Sequence, residues 1–77
     1  MTDEKRSVTL HEEIVAILID SGDKWMTTTE IAREVKRRAL YRKRDGTSDV
    51  TPFQVHGRTK NYPQLFERDS TQVRRRR

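Results

Sequence analysis

The sequence carries the same helix-start signature at three places, and this signature constrains its fold more than any other feature. In each, a threonine is followed three residues later by a glutamate or a glutamine. The pairs are Thr9 with Glu12, Thr27 with Glu30, and Thr51 with Gln54. In such a capping box the threonine hydroxyl and the glutamate or glutamine side chain each accept a hydrogen bond from the other's backbone N–H group. Three helix starts in 77 residues predict one small three-helix domain.

The first helix is predicted to begin at Leu10 and to end near Gly22, a residue that accepts the left-handed backbone of a helix end. Its apolar residues recur at helical spacing on one face: Leu10, Ile14, Ile17 and Leu18. Val15 and Ile19 lie off that face. Either neighbouring elements cover these two side chains, or they form an apolar strip for a protein partner.

The second helix is predicted to run from the Thr27 cap to about Leu40, after a short connector at 25–27 that can form a strand. Its expected buried residues are Ile31, Ala32, Val35 and Ala39. The third helix follows the Thr51 cap with proline at its first position and ends before Pro63. Its thin buried face is Val55, Thr59 and Tyr62.

Residues 65–68 and 72–74 read as two short strands, with Phe66 and Val73 pointing inward. The order of elements predicts a mainly α domain with a small β-hairpin, a winged helix-turn-helix of three helices plus a C-terminal wing. We expect a disordered N-terminal segment at 1–7, the domain at 8–74 and a basic tail at 75–77.

The positive charge is concentrated in the second half of the chain. The 17 Lys and Arg residues against 12 Asp and Glu give a net charge of +5. Residues 1–40 carry a net charge of −1, whereas residues 41–77 carry +6. Such asymmetry favours a polyanionic partner, although a solvated surface that keeps the protein soluble is the alternative.

Four stretches resemble the HARE-type helix-turn-helix family. Residues 10–15 (LHEEIV) and 26–32 (MTTTEIA) resemble the start of such a domain, and residues 40–46 (LYRKRDG) and 61–66 (NYPQLF) strengthen the match. The resemblance covers residues 8 to about 75. Domains of this family occur in chromatin regulators and beside restriction-type nucleases. The resemblance therefore implies a winged helix that binds DNA in transcription regulation or restriction-modification.

The third helix is the expected recognition element, because the second helix of a helix-turn-helix enters the major groove. Its outward face is predicted to carry Phe53, Gln54, Gly57, Lys60 and Asn61, with His56 and Arg58 on its flanks. Glutamine and asparagine can read adenine, and lysine can reach guanine or a phosphate. A glycine inside a helix costs about 1 kcal/mol relative to alanine. Close approach to a DNA groove, or tight packing against another element, would each explain it.

We expect duplex DNA to be bound by the basic loop, the third helix, the wing and the tail. The predicted DNA-binding residues are Arg42, Lys43, Arg44, Thr51, Gln54, Gly57, Arg58, Lys60, Asn61, Arg68, Arg74, Arg75, Arg76 and Arg77. The alternative is a protein-docking module of the same fold that uses the first helix, through Val15 and Ile19, without binding nucleic acid. RNA binding is a further alternative.

Other classes of function find little support in the sequence. There is no cysteine, and the two histidines, His11 and His56, have no acidic neighbours at ligand spacing, so we expect no metal and no cofactor. No nucleophile and base can be paired, so we expect no catalytic residue and no enzyme. Trp25 is expected to cover the core. The longest apolar run falls far short of a membrane span of about 20 residues, so we expect no membrane partner and a cytoplasmic protein, nucleoid-associated if bacterial.

Overall fold

The computed structural model of the chain describes residues 9–41 and 49–76. Within these ranges the elements are α1 (Leu10–Asp20), β1 (Met26–Thr27), α2 (Thr28–Arg38), α3 (Pro52–Lys60), β2 (Phe66–Asp69) and β3 (Gln72–Arg75). The expected order of helices and strands is confirmed. The expected disordered segment at 1–7 and four of the predicted DNA-binding residues lie outside the described residues: Arg42, Lys43, Arg44 and Arg77.

All three capping boxes are present. At α1 the Thr9 hydroxyl accepts from the Glu12 backbone at 3.3 Å, and the Glu12 carboxylate accepts from the Thr9 backbone at 2.9 Å. The boxes at α2 and α3 have the same reciprocal pattern, with distances of 2.9 to 3.1 Å. Because both hydrogen bonds of each box join residues three positions apart, the sequence alone could predict them.

Helix α2 ends earlier than the sequence predicted. Its last helical residue is Arg38, and Ala39 takes a left-handed backbone with φ of 56°. The prediction that the helix continues to about Leu40 and buries Ala39 was wrong, since Ala39 is exposed. Glycine or asparagine normally marks such a helix end, so an alanine there gave no signal. After α1, the prediction of a left-handed backbone at Gly22 is confirmed, because this residue has φ of 83°.

The predicted hairpin is part of a larger sheet. In the described residues β1, β3 and β2 form a three-stranded antiparallel sheet with β3 in the centre. Met26 pairs with Val73 in the β1–β3 ladder, and Arg68 pairs with Val73 in the β2–β3 ladder. The sheet makes the fold mixed α/β. Strand β3 also reaches Arg75, and the Arg76 backbone donates to Leu65 at 2.8 Å, so these two residues belong to the fold and not to a tail.

The core lies where the three helices meet the sheet. Its buried apolar residues are Leu10, Ile14, Ile17, Leu18, Ile31, Ala32, Val35, Val50, Val55, Phe66 and Val73. This list confirms the predicted inward faces of the first helix and of both hairpin strands. Helix α2 packs against both α1 and α3, which brings the two helices of the expected helix-turn-helix into contact.

The structure places the two residues that the sequence left open, Val15 and Ile19, and confirms the predicted burial of Thr59. Val15 is half-buried and packs against the core, whereas Ile19 is 48% exposed. Thr59 is fully buried, and its hydroxyl donates to the His56 carbonyl at 3.1 Å, which satisfies its polar atom inside the core. None of the helices in the described ranges has the length and apolar content needed to span a bilayer.

Candidate nucleic-acid interface

Helix α3 buries only a narrow face in the core and presents its opposite face to solvent. Val55 and Thr59 are its buried residues, one turn apart. At 3.6 residues per turn, Phe53, Gly57 and Lys60 then lie on the opposite side. The first and last of these are exposed, as are Gln54 and Asn61 at the same outer surface. The predicted outward face of the third helix is therefore confirmed.

The surface at Gly57 is open. A Cβ atom placed on this glycine would have no other atom of the described chain within 4 Å, apart from its chain neighbours and its own helix backbone. Of the two explanations for a glycine in this helix, tight packing against another element of the described chain is therefore ruled out. The other explanation for its cost of about 1 kcal/mol, close approach to a DNA groove, stays a prediction.

The side chain of Gln54 is occupied by its own helix. Its Oε1 atom accepts from the Thr51 backbone at 2.9 Å and from the Thr51 hydroxyl at 3.3 Å. Bidentate recognition of adenine needs that same oxygen as an acceptor beside the amide donor. Thr51 and Gln54 therefore both serve the cap of α3, and their expected contacts with DNA stay predictions.

Helix α3 carries two cations that are free of internal partners. The side chains of Arg58 and Lys60 form no hydrogen bond or ion pair with the rest of the described chain. No acidic residue occurs in α3 to offset their charge. Asn61 caps the helix through its backbone, and its side-chain amide is exposed and without a partner among the described residues.

Arg68 extends this positive surface onto the sheet. It is exposed on β2, and its Nη2 atom lies 2.9 and 3.1 Å from the two ring nitrogens of His56. His56 and Lys60 are four residues apart and therefore neighbours on one side of α3. Tertiary structure thus places Arg68, His56 and Lys60 along one flank of the helix, with Arg58 on the other.

The described arginines of the C-terminal run, Arg74, Arg75 and Arg76, form internal contacts. Arg74 donates to Glu67 at 2.8 and 2.6 Å, and its guanidinium lies 4.5 Å from the Trp25 ring centre. Arg75 donates to both carboxylate oxygens of Asp23 at 2.8 and 2.9 Å. Arg76 donates to backbone carbonyls of Pro63 and Phe66, at 2.9 and 3.4 Å.

These contacts change the interpretation of the basic run. The sequence predicted Arg74, Arg75 and Arg76 as phosphate-binding residues, but Arg74 and Arg75 join β3 to other parts of the chain, and Arg76 does the same for the residue after β3. Trp25 was expected to cover the core. The half-buried ring instead packs with the Arg74 guanidinium, a cation–π contact. The charges of Arg74 and Arg75 are thus paired with carboxylates, whereas Arg58 and Lys60 on α3 have no partner among the described residues.

Glu13 is a buried charged residue that the sequence did not predict. It is only 2% exposed, and its carboxylate accepts from the Tyr41 backbone at 2.7 Å. Burial raises the pKa of this carboxyl above its ordinary value, against the lowering effects of the Tyr41 hydrogen bond and the nearby Arg38. A signal was present, because Glu13 lies three residues after Leu10 and four before Ile17, both on the apolar face.

The remaining histidine, His11, stacks on Tyr62 with ring centres 4.0 Å apart and connects α1 to the second residue after α3. Among the described residues, no group of three or more His, Cys, Asp or Glu side chains could hold a metal ion.

The chain matches no protein-family model, no curated protein and no solved structure.

Proposed function

We propose that the chain is a DNA-binding module of the winged helix-turn-helix type, with α3 as the helix that enters the major groove. In this motif the second of two packed helices reads base edges. Here α2 packs against α3, and the hairpin β2–β3 follows directly, in the position of a wing. The resemblance of the sequence to HARE-type domains points in the same direction, including to a role in transcription regulation or restriction-modification.

The open surface at Gly57 is the observation that carries the proposal. A helix that enters the major groove brings its backbone close to base edges, and a glycine on the groove-facing side allows the closest approach. The described chain itself places nothing against this position. A glycine that weakens the helix without serving internal packing is explained by contact with a partner.

The charge distribution favours DNA as that partner. Arg58 and Lys60 lie on the flanks of the open face, and Arg68 lies beside one of them through His56. Cations on both sides of a groove-binding helix are placed to contact the two phosphate backbones that border the groove. With Arg74 to Arg76 bound internally, we assign the phosphate contacts of the described chain to α3 and Arg68.

The proposal can be tested with Gly57→Ala. Alanine meets no steric conflict in the chain and is the better helix former, so the variant should be more stable by about 0.5–1 kcal/mol. Its affinity for duplex DNA should fall, because the added methyl group holds the helix away from the groove. Thermal unfolding and fluorescence anisotropy with a labelled duplex measure these two opposite effects.

Lys60→Ala provides the electrostatic part of the same test. It should reduce the slope of log K against log salt by about 0.9, the effect of one lost phosphate contact. Lys24→Ala is the matched control, because Lys24 is an exposed lysine without a side-chain partner in the described chain, outside α3. Lack of binding to duplex DNA at low salt would contradict the proposal, as would equal slopes for the Lys60 and Lys24 variants.

One observation still supports the protein-docking alternative. Ile19 is 48% exposed on α1, but Val15 packs against the core, so the expected apolar strip is reduced. A docking role through α1 predicts that Ile19→Ala abolishes partner binding. The DNA-binding proposal predicts that the same change leaves DNA affinity unaltered.

A further inference from the structure

We infer that Phe53 determines base specificity at this interface by contacting the C5 methyl group of thymine in the major groove. The inference rests on the proposed function and goes beyond it, since it names the base feature that α3 reads. Phe53 was not among the residues expected to bind DNA. The inference stands on the exposure of its ring, its position on α3 and the chemistry that its neighbours leave available.

The exposure of Phe53 has no explanation within the described chain. Its ring is 82% exposed, more than the other exposed large apolar residues, Leu40 at 57% and Ile19 at 48%. The structure gives the ring no aromatic or cation–π partner among the described residues. An aromatic side chain buries a large apolar area when it binds a partner, so an exposed one favours a contact surface.

The position of Phe53 suits base contact. It is the second residue of α3, and the N-terminal residues of a recognition helix are those that reach base edges. It also lies four residues before Gly57, so the ring and the open glycine share one face, a single turn apart. Close approach of the backbone at Gly57 would bring the Phe53 ring to the groove floor.

The neighbouring side chains leave an apolar contact as the means of reading at this end of the helix. The Gln54 carbonyl oxygen and the Thr51 hydroxyl are held in the cap. Lys60 lies seven residues further on, about 10 Å along the helix axis. A phenyl ring has no hydrogen-bonding atom, and the apolar feature that a base edge offers in the major groove is the methyl group of thymine.

Uracil tests this contact because it differs from thymine only in lacking the methyl group. We would compare the full chain on an alternating dA–dT duplex and on the same duplex with dU in place of every dT. Burying one methyl group contributes about fourfold in affinity. The wild-type chain should therefore bind the dT duplex at least about fourfold more tightly per contacted methyl group, at equal salt.

Phe53→Ala separates the ring contact from effects of the methyl group on DNA shape. This variant should bind both duplexes alike, with the salt dependence of the wild type, because no charge is removed. Ile19→Ala is the matched control: it also shortens an exposed apolar side chain, but on α1, and it should keep the preference for dT. A thermal melt confirms that both variants are folded.

The outcomes distinguish this inference from the proposed function. Equal binding of the wild type to both duplexes would overturn the role of Phe53 while leaving DNA binding in place. A preference for dT that survives in Phe53→Ala would also overturn it, and would assign the preference to DNA shape. Absence of binding to either duplex would overturn the proposed function and this inference together, and would leave the ring as a surface for another class of partner.

Discussion

Glu13 shows how one residue on the apolar face of a helix is accommodated by a backbone partner. Its carboxylate is buried within α1, yet it fixes the chain after α2 by accepting the Tyr41 N–H group. The raised pKa means that the folded protein binds the proton more tightly than the unfolded chain does. The free energy of unfolding should therefore fall as the pH rises from the ordinary carboxyl pKa through the raised one.

Two substitutions at Glu13 should have opposite effects on stability. Glu13→Gln keeps an acceptor for the Tyr41 N–H group and removes the cost of a buried charge, so it should raise the melting temperature at neutral pH. Glu13→Ala leaves that donor unsatisfied and should lower the free energy of unfolding by about 1–3 kcal/mol. Thermal melts at neutral and acidic pH measure both effects. The advantage of glutamine should shrink in acid, and a constant advantage would contradict the assigned pKa direction.

At the scale of elements, strand β3 links separate parts of the fold through its side chains. It pairs with β1 and β2, while Arg75 reaches Asp23 in the turn after α1. The exposed fractions of the two side chains are 32% and 16%, so solvent screens this pair only partly. Its two parallel hydrogen bonds give the contact a defined geometry, which is the favourable case for an ion pair.

Arg75→Ala should therefore act on stability and not on DNA binding. Loss of the charged hydrogen bonds should lower the free energy of unfolding, and with it the melting temperature. The salt dependence of DNA binding should match the wild type, in contrast to Lys60→Ala. A reduced salt slope with an unchanged melt would show that Arg75 is free to bind phosphate.

At the scale of the whole molecule, stability depends on a small core. The chain has 77 residues, and its buried apolar residues form one cluster within the described part. A domain of this length buries about 60% of its unfolded surface, and its total stability is on the order of 0.1 kcal/mol per residue. Single core positions therefore hold a large share of the total.

Ile14→Ala should leave much of the protein unfolded. Ile14 is fully buried in α1, and truncating such a side chain to alanine costs about 2–5 kcal/mol. Ile19→Ala makes the same change five residues later in the same helix, where the side chain is 48% exposed, and should change stability little. Circular dichroism melts of the two variants measure the difference. Equal melting temperatures of the two variants would contradict the assignment of Ile14 to the core.

The sequence was sufficient for features that depend on neighbours a few residues apart. The three capping boxes, the proline that begins α3 and the apolar faces of α1 and α3 all follow from spacings of three or four residues. The outward face of α3, and with it Lys60 and Asn61, could be predicted in the same way. The left-handed end of α2 at Ala39 could not, because the residue type normally found there is absent.

Tertiary structure alone decided which charged residues are free. The four consecutive arginines cannot be distinguished in the sequence. In the structure, Arg75 donates hydrogen bonds to Asp23, 52 positions away, and Arg74 donates to Glu67 across the hairpin. Arg58 and Lys60 keep their charges unpaired within the described chain. Likewise, the sequence showed a glycine in α3, and the fold showed that nothing in the described chain lies against it. Local spacing specifies a helix and its faces, whereas pairing of distant side chains and open space at a surface arise only when the chain packs.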